Sequence, residues 1–190
     1  MTDHAAAATI EADVLAARLQ AAFERVQHER MTGLPFLNAA LRVELVGLRR
    51  WRGLWLGVLV TPWFMNLMLL PGGGSDDDGD EVPVSWPRIT TGEYAQFAFP
   101  AGVMSFLAGS EGEVGGYLAC SLFSPVFEFA DQAAARQMAQ ACLLALFDPA
   151  SGAGGPAPAA DAAAESPAIS KRDFLRGRWH APAPTPAERR

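Results

Sequence analysis

Residues 54–71 read LWLGVLVTPWFMNLMLLP, and the fold turns on how this run is taken. From Gly53 to Ser75 there is no charged residue, and the apolar part approaches the ~20 residues that span a bilayer. Arg49, Arg50 and Arg52 even supply a positive flank. Against a span, Pro62 falls near the middle, and Gly57, Thr61 and Asn66 interrupt the run. LWLGVLV lacks the apolar/polar alternation of a half-wet strand, as expected of a strand covered on both faces. Thr61 and Pro62 then form a stop, or the cap and first residue of a short helical turn. FMNLMLL resumes the apolar run with a period that fits helix and strand alike. A buried hairpin explains the same composition, so no stable membrane insertion is expected.

Working outward, LRVELVGLRRW at 41–51 alternates Leu41, Val43 and Leu45 against Arg42 and Glu44, which predicts a strand with one wet face. Before it, Thr9 suits a helix cap, and Leu15, Leu19, Ala22, Phe23 and Val26 recur at helical spacing. That helix should run to about Met31, where Gly33 and Pro35 stop it. After the hairpin, Pro71–Glu81 is a Gly and Asp loop, and VPVSWPRI at 82–89 suits an edge strand or extended connector. FAFPAGVMSFLAG and VGGYLACSLF read as two further strands joined by the polar GSEGEVGG. Ser124 and Pro125 have the form of a helix entry, with Glu128 and Asp131 near the positive end of the dipole. Phe127, Ala130, Ala134, Met138, Ala141, Cys142 and Ala145 would be its buried stripe, with Asp148 and Pro149 ending it. The expected fold is α+β, an antiparallel sheet of about four to six strands with an N-terminal and a C-terminal helix packed on it. A lead at 1–8, a domain at 9–149 and a disordered Ala/Pro-rich tail at 150–190 divide the chain.

A body of this size can bury about two thirds of its unfolded surface, enough for one self-sufficient core. Half of the 190 residues are apolar and 19% charged, which favours a globular body. The formal net charge of −6 is concentrated in DDDGDE at 76–81, which holds five of the acids. Basic residues cluster only at Arg49, Arg50 and Arg52 and in the tail, so no nucleic-acid partner is expected. The amino end lacks the basic n-region and apolar h-region of a signal peptide, which makes the cytoplasm the default compartment.

Chemistry is sparse. His4, His28 and His180 form no pair in the folded body, and no GxSxG, HExxH, P-loop or dinucleotide fingerprint is present. Cys120 and Cys142 have neither CxxC spacing nor a His cluster, so they read as buried thiols. No catalytic residue, metal or other cofactor is expected. Two groups invite a binding role instead. Glu128 and Asp131, in SPVFEFADQ beside Phe127 and Phe129, are either dipole-matched helix residues or a docking site for a basic peptide. Trp63, Phe64, Met65, Asn66 and Met68 are either core or an adaptable groove for an apolar segment. Asn66 would then satisfy the backbone of a bound extended chain, or tie down its own turn.

LPFLN at 34–38, LRVE at 41–44, WRGLWLGVLVTPWFMNLMLLPG at 51–72, FPAG at 99–102 and SLFSPVFEFADQ at 121–132 together resemble the HybE/HupJ family of [NiFe]-hydrogenase assembly chaperones. The resemblance covers about residues 10–148. It implies a non-enzymatic, cytoplasmic maturation chaperone that binds the small-subunit precursor and shields its twin-arginine signal until cofactor insertion and subunit assembly. The large subunit and other maturation factors are further partners in that setting. The acidic loop at 75–81 and the tails depart from the recognisable sequence. Three rivals stay open: a large-subunit or oxygen-protection factor, a redox accessory protein using Cys120 or Cys142, and a membrane-tethered assembly factor.

The tail holds one island of specific sequence, SKRDFLRGRW at 170–179, between Ala/Pro-rich stretches. Ser170, Lys171, Arg172, Phe174, Leu175 and Arg176 imitate a twin-arginine signal, with Lys in place of the first Arg and no apolar segment behind it. The readings are an accidental pattern in a basic solubilising tail, a contact with another partner, or a mimic that occupies the chaperone's own binding site.

Overall fold

The computed structural model describes residues 2–72 and 84–152, and side chains at 10–72 and 84–151. The acidic stretch at 76–81 and the decapeptide at 170–179 lie outside the described residues. Helix α1 (Thr2–Val26) opens the chain and passes into a wider π-type turn at Gln27–Met31. It starts ahead of Thr9, which is therefore not its cap. Six strands follow: β1 (Glu44–Trp51), β2 (Leu54–Val60), β3 (Met65–Pro71), β4 (Tyr94–Phe99), β5 (Gly102–Glu111) and β6 (Gly115–Phe123). Helix α2 (Gln132–Leu146) closes the domain. All strand pairs are antiparallel, in the order β1-β2-β3-β6-β5-β4.

The hairpin quoted at the outset forms the middle of this sheet and is buried on both faces. Every residue of β2 is buried, as are Met65, Leu67, Met68, Leu69 and Leu70 of β3. Pairing resolves the helix-or-strand ambiguity at 64–70: β3 runs between β2 and β6. Along β2 the side chains alternate between two separate cores. Trp55 and Leu59 join Leu19, Phe23 and Val26 of α1, whereas Leu56, Val58 and Val60 join Ala135, Ala139, Leu143 and Leu146 of α2. One helix therefore covers each face. This also corrects the expectation of a wet face on β1: Leu45 and Val43 pack toward α1, and Val46 and Glu44 toward α2.

The sheet is coiled, so its edge strands meet across the α2 side. Trp51 of β1 stacks on Phe99 of β4 with ring centroids 4.1 Å apart, and Phe97 meets the same indole edge-on. Such ring pairs contribute about 1 kcal/mol each beyond the area they bury. Val84, Trp86 and Ile89 pack on this core as an extended connector, and Val84 N–H donates to the Arg52 carbonyl at 2.7 Å.

Two elements depart from the expected boundaries. FAFPAGVMSFLAG is a hairpin, not one strand: β4 and β5 meet at a two-residue turn in which Phe99 pairs with Gly102. Pro100 can supply no ladder N–H, and Gly102 takes φ +129, a conformation side chains rarely adopt. The polar joint expected between strands is itself largely strand, with Gly109–Glu111 paired to Gly115–Tyr117.

A bulge in β1 shifts the register between Val46 and Arg49, and Gly47 there has φ +65. A Cβ at Gly47 would lie 2.5 Å from Leu143 Cδ1 of α2, so this glycine lets the helix sit down on the sheet. Gly47→Ala combines a left-handed backbone with overpacking and should cost about 2 kcal/mol in urea unfolding. A loss within about 0.5 kcal/mol would contradict this account of the bulge.

Candidate partner-binding site

Three loops meet at one end of the sheet, and Asn38 joins them. Its backbone N–H donates to the Pro62 carbonyl at 2.8 Å, in the β2–β3 turn. Its carboxamide N–H₂ donates to the carbonyls of Val126 at 3.0 Å and Phe129 at 2.7 Å, in the segment between β6 and α2. Its carboxamide oxygen accepts from Ala40 N–H at 3.0 Å, shaping its own loop. The β2–β3 turn is closed by Thr61, whose Oγ1 accepts from the N–H groups of Trp63 and Phe64. Thr61 and Pro62 thus belong to a tight hairpin turn.

The segment after β6 is not the start of a helix. Val126 and Phe129 insert their side chains into the α2-side core, and Phe129 meets Phe123 at 5.1 Å. Their carbonyls accept from the Asn38 carboxamide, and that of Val126 also from Phe129 N–H at 3.3 Å, the pattern of a tight turn and not of an α-helix. The helix entry expected at Ser124 and Pro125 accordingly gives way to Asp131, which is extended at φ −156 and accepts from Ala134 N–H at 2.8 Å. Glu128 and Asp131 are therefore not a pair within a helix. The buried stripe rotates with the later start: Gln132, Ala135, Ala139, Cys142, Leu143 and Leu146 face inward. Phe127, Ala130 and Ala141 are exposed, and Ala134, Met138 and Ala145 are half-buried.

The first turn of α2 is clasped to β1 by Glu44. Its carboxylate accepts from Arg136 Nε at 2.7 Å and Gln132 Nε2 at 2.6 Å, while Gln132 Oε1 accepts from Arg42 N–H at 2.9 Å. Burial pushes the Glu44 pKa up, but the hydrogen bonds from Arg136 and Gln132 together with the charges of Arg136 and Arg42 outweigh it, leaving a net depression.

The residues singled out from sequence divide by exposure. Trp63, Met65, Met68 and Phe129 are buried and serve the two cores. Phe64 and Asn66 are half-buried, Phe64 against the rings of Phe23 and Trp63. Phe127, Glu128 and Asp131 are exposed, Phe127 by 58%. The Trp63 turn and the Phe127 segment share an end of the sheet because Asn38 bonds to both. Leu34 and Phe36, exposed by 37% and 39%, lie in the same Asn38 loop and were not singled out. The one signal for them was a pair of large apolar residues flanking Pro35 where the chain should turn. The exposed side chains on the loops that Asn38 joins thus include Leu34, Phe36 and Phe127 and the carboxylates of Glu128 and Asp131.

Cys142 does not have the environment of a redox thiol. Cys142 is buried and its pKa is pushed up to about 12, which keeps it protonated, and Cys120 is half-buried. Among the described residues no group of three or more His, Cys, Asp or Glu is placed to hold a metal. No helix among them is long and apolar enough to cross a membrane, and the run at 54–71 is two strands and the turn that joins them.

An antiparallel sheet with one helix on each face and an apolar, acidic end defines an α+β domain with a candidate protein-docking surface. The family "[NiFe]-hydrogenase assembly, chaperone, HybE" matches residues 14–177, so the chain belongs to the HybE family of [NiFe]-hydrogenase assembly chaperones. The match extends well past residue 148, where the recognisable sequence was expected to end. The hydrogenase expression/formation protein HupJ of Bradyrhizobium diazoefficiens is 38% identical over 159 residues, 84% of this chain and 85% of that one. A Rhodobacter capsulatus protein named "Probable rubredoxin HupJ" is 38% identical over 135 residues, 71% of this chain but only 45% of its own length. The solution structure of HybE from Escherichia coli superposes with a TM-score of 0.54 at 25% identity, covering 80% of this chain and 87% of that one.

Asn38→Ala removes both carboxamide bonds to the 126–129 segment and should lower stability by about 2 kcal/mol, with faster amide exchange at 126–131 than elsewhere. Uniform exchange across the domain would separate Asn38 from that segment. Glu44 gives a pH test. Because its folded pKa lies below the unfolded value, its contribution is full above the unfolded pKa, near 4.3, and fades as pH falls through the folded one. Thermal melts of Glu44→Gln should show a shallower loss of Tm below about pH 5 than the unsubstituted protein. Parallel curves would sink this assignment.

Proposed function

We propose that this protein is a non-enzymatic cytoplasmic escort that binds the small-subunit precursor of a [NiFe]-hydrogenase through its twin-arginine signal. The observation that carries the reading is the juxtaposition at the Asn38 end: Phe127 and Phe36 present apolar surface, and Glu128 and Asp131 present carboxylates, on segments held by Asn38. A twin-arginine signal carries paired guanidinium groups followed by an apolar stretch. Carboxylates pair with guanidinium by charge-assisted hydrogen bonds, and exposed aromatic side chains accept the apolar part. Family membership supplies the setting, since a [NiFe]-hydrogenase assembly chaperone acts on hydrogenase subunits. The buried members of the cluster, Trp63, Met65, Met68 and Phe129, belong to the two cores that support the loops, and Phe64 packs against Phe23 of α1. The high Cys142 pKa favours action by binding over thiol chemistry.

The test is capture of the small-subunit precursor with and without its signal peptide, with the large subunit offered in parallel. The reading expects capture to require the signal. Equal capture of both forms would rule out signal recognition as the main contact, and capture of the large subunit alone would move the site to that partner. Phe127→Ser should weaken binding of a synthetic twin-arginine peptide about tenfold, a loss of roughly 1.4 kcal/mol. Asp131→Asn keeps the helix cap and removes the charge, so it should weaken the peptide while leaving Tm nearly unchanged.

A further inference from the structure

Resting on that reading, we propose that residues 170–176 of this chain, Ser-Lys-Arg-Asp-Phe-Leu-Arg, are the resident occupant of the Asn38 end and are displaced by the client's signal. Three observations converge on this segment. First, it carries the chemistry that the surface fits. Lys171, Arg172 and Arg176 provide cations for Glu128 and Asp131, and Phe174 and Leu175 provide apolar side chains for Phe127, Phe36 and Leu34.

Second, it can reach. The described chain ends at Gly152, just beyond the C-terminal end of α2, while Glu128 and Asp131 precede the N-terminal end of the same helix. A helix of 15 residues is about 22 Å long. The eighteen residues from Gly152 to Ser170 span at most about 60 Å, ample to return along it. Third, the family match runs to residue 177, so it takes in this segment along with the folded body.

The imitation is incomplete in a way that suits a placeholder. It has Lys171 where a signal has its first arginine, losing the bidentate fork. Behind Leu175 come Arg176, Gly177 and Arg178, where a signal continues with apolar residues. The tethered copy therefore binds more weakly than a true signal but acts at high effective concentration. With a tail dissociation constant near 0.1 mM and an effective concentration of about 1 mM, it lowers apparent client affinity about tenfold.

The experiment uses the full chain with K171E/R172E and, separately, F174A/L175A. Binding of a fluorescent twin-arginine signal peptide is followed by anisotropy, and backbone amide resonances of residues 126–131 by NMR. Both variants should bind the peptide several-fold to tenfold more tightly than the unsubstituted chain, and their resonances at 126–131 should shift without any peptide present. Unchanged peptide affinity and unchanged resonances, with the peptide still bound, would overturn the inference and leave the signal-binding reading standing. Failure of every form to bind the peptide would sink that reading, and with it displacement by a signal, whatever the resonances show.

Discussion

The structure depends on the central hairpin having no polar face. β2 and β3 lie between two cores, so each helix is tied to a different set of side chains of the same two strands. Trp55 and Leu59 look toward α1 and Leu56, Val58 and Val60 toward α2, and neither helix could leave without baring half of a fully apolar strand. Burial of one such side chain is worth about 2 kcal/mol, so either helix docks on several of these contributions at once. The coil of the sheet follows from the same arrangement. With α2 seated on one face, the edge strands close around it until Trp51 meets Phe99.

That constraint was legible where it wrote itself into every position. The unbroken apolar run of β2 announced two-sided burial, and the same logic explained a charge-free stretch near membrane length without a membrane. The next run was less readable because a fully buried strand and a buried helix look alike over seven residues. Pairing with β6 decided it. The β4–β5 turn was signalled only by Pro100 and Gly102, without polar residues, because Ala101 in the turn is itself buried and its N–H donates to the Leu146 carbonyl at the end of α2.

The candidate site was legible in its parts and not in its assembly. Ser124-Pro125 is a sound local start for a helix, and Asp131 an equally sound one. The segment between them is tied down by Asn38, 88 residues before Val126 in the chain, whose side chain donates to the Val126 and Phe129 carbonyls. No periodicity carries such a contact. Aromatic and acidic residues in SPVFEFADQ marked the right neighbourhood, but which of them face water depended on the later helix start. Phe129 went inward and Phe127 outward, although they are two residues apart.

In the proposed site, Asp131 would combine its observed role as helix cap with a second that pulls against it. It closes the N-terminal end of α2, where the unpaired peptide N–H groups concentrate about half a positive charge. A guanidinium arriving at its carboxylate is attracted by that group and repelled by the helix end beneath it, by about 0.3–1 kcal/mol. A carboxylate placed away from a helix start would hold a cation more firmly. For the escort proposed above this weakening would be an advantage in kinetics, since a client that must be handed on has to leave at a useful rate. On the proposed reading, the dipole of α2 would shorten the residence of a bound signal, while the core beneath holds the loops in shape.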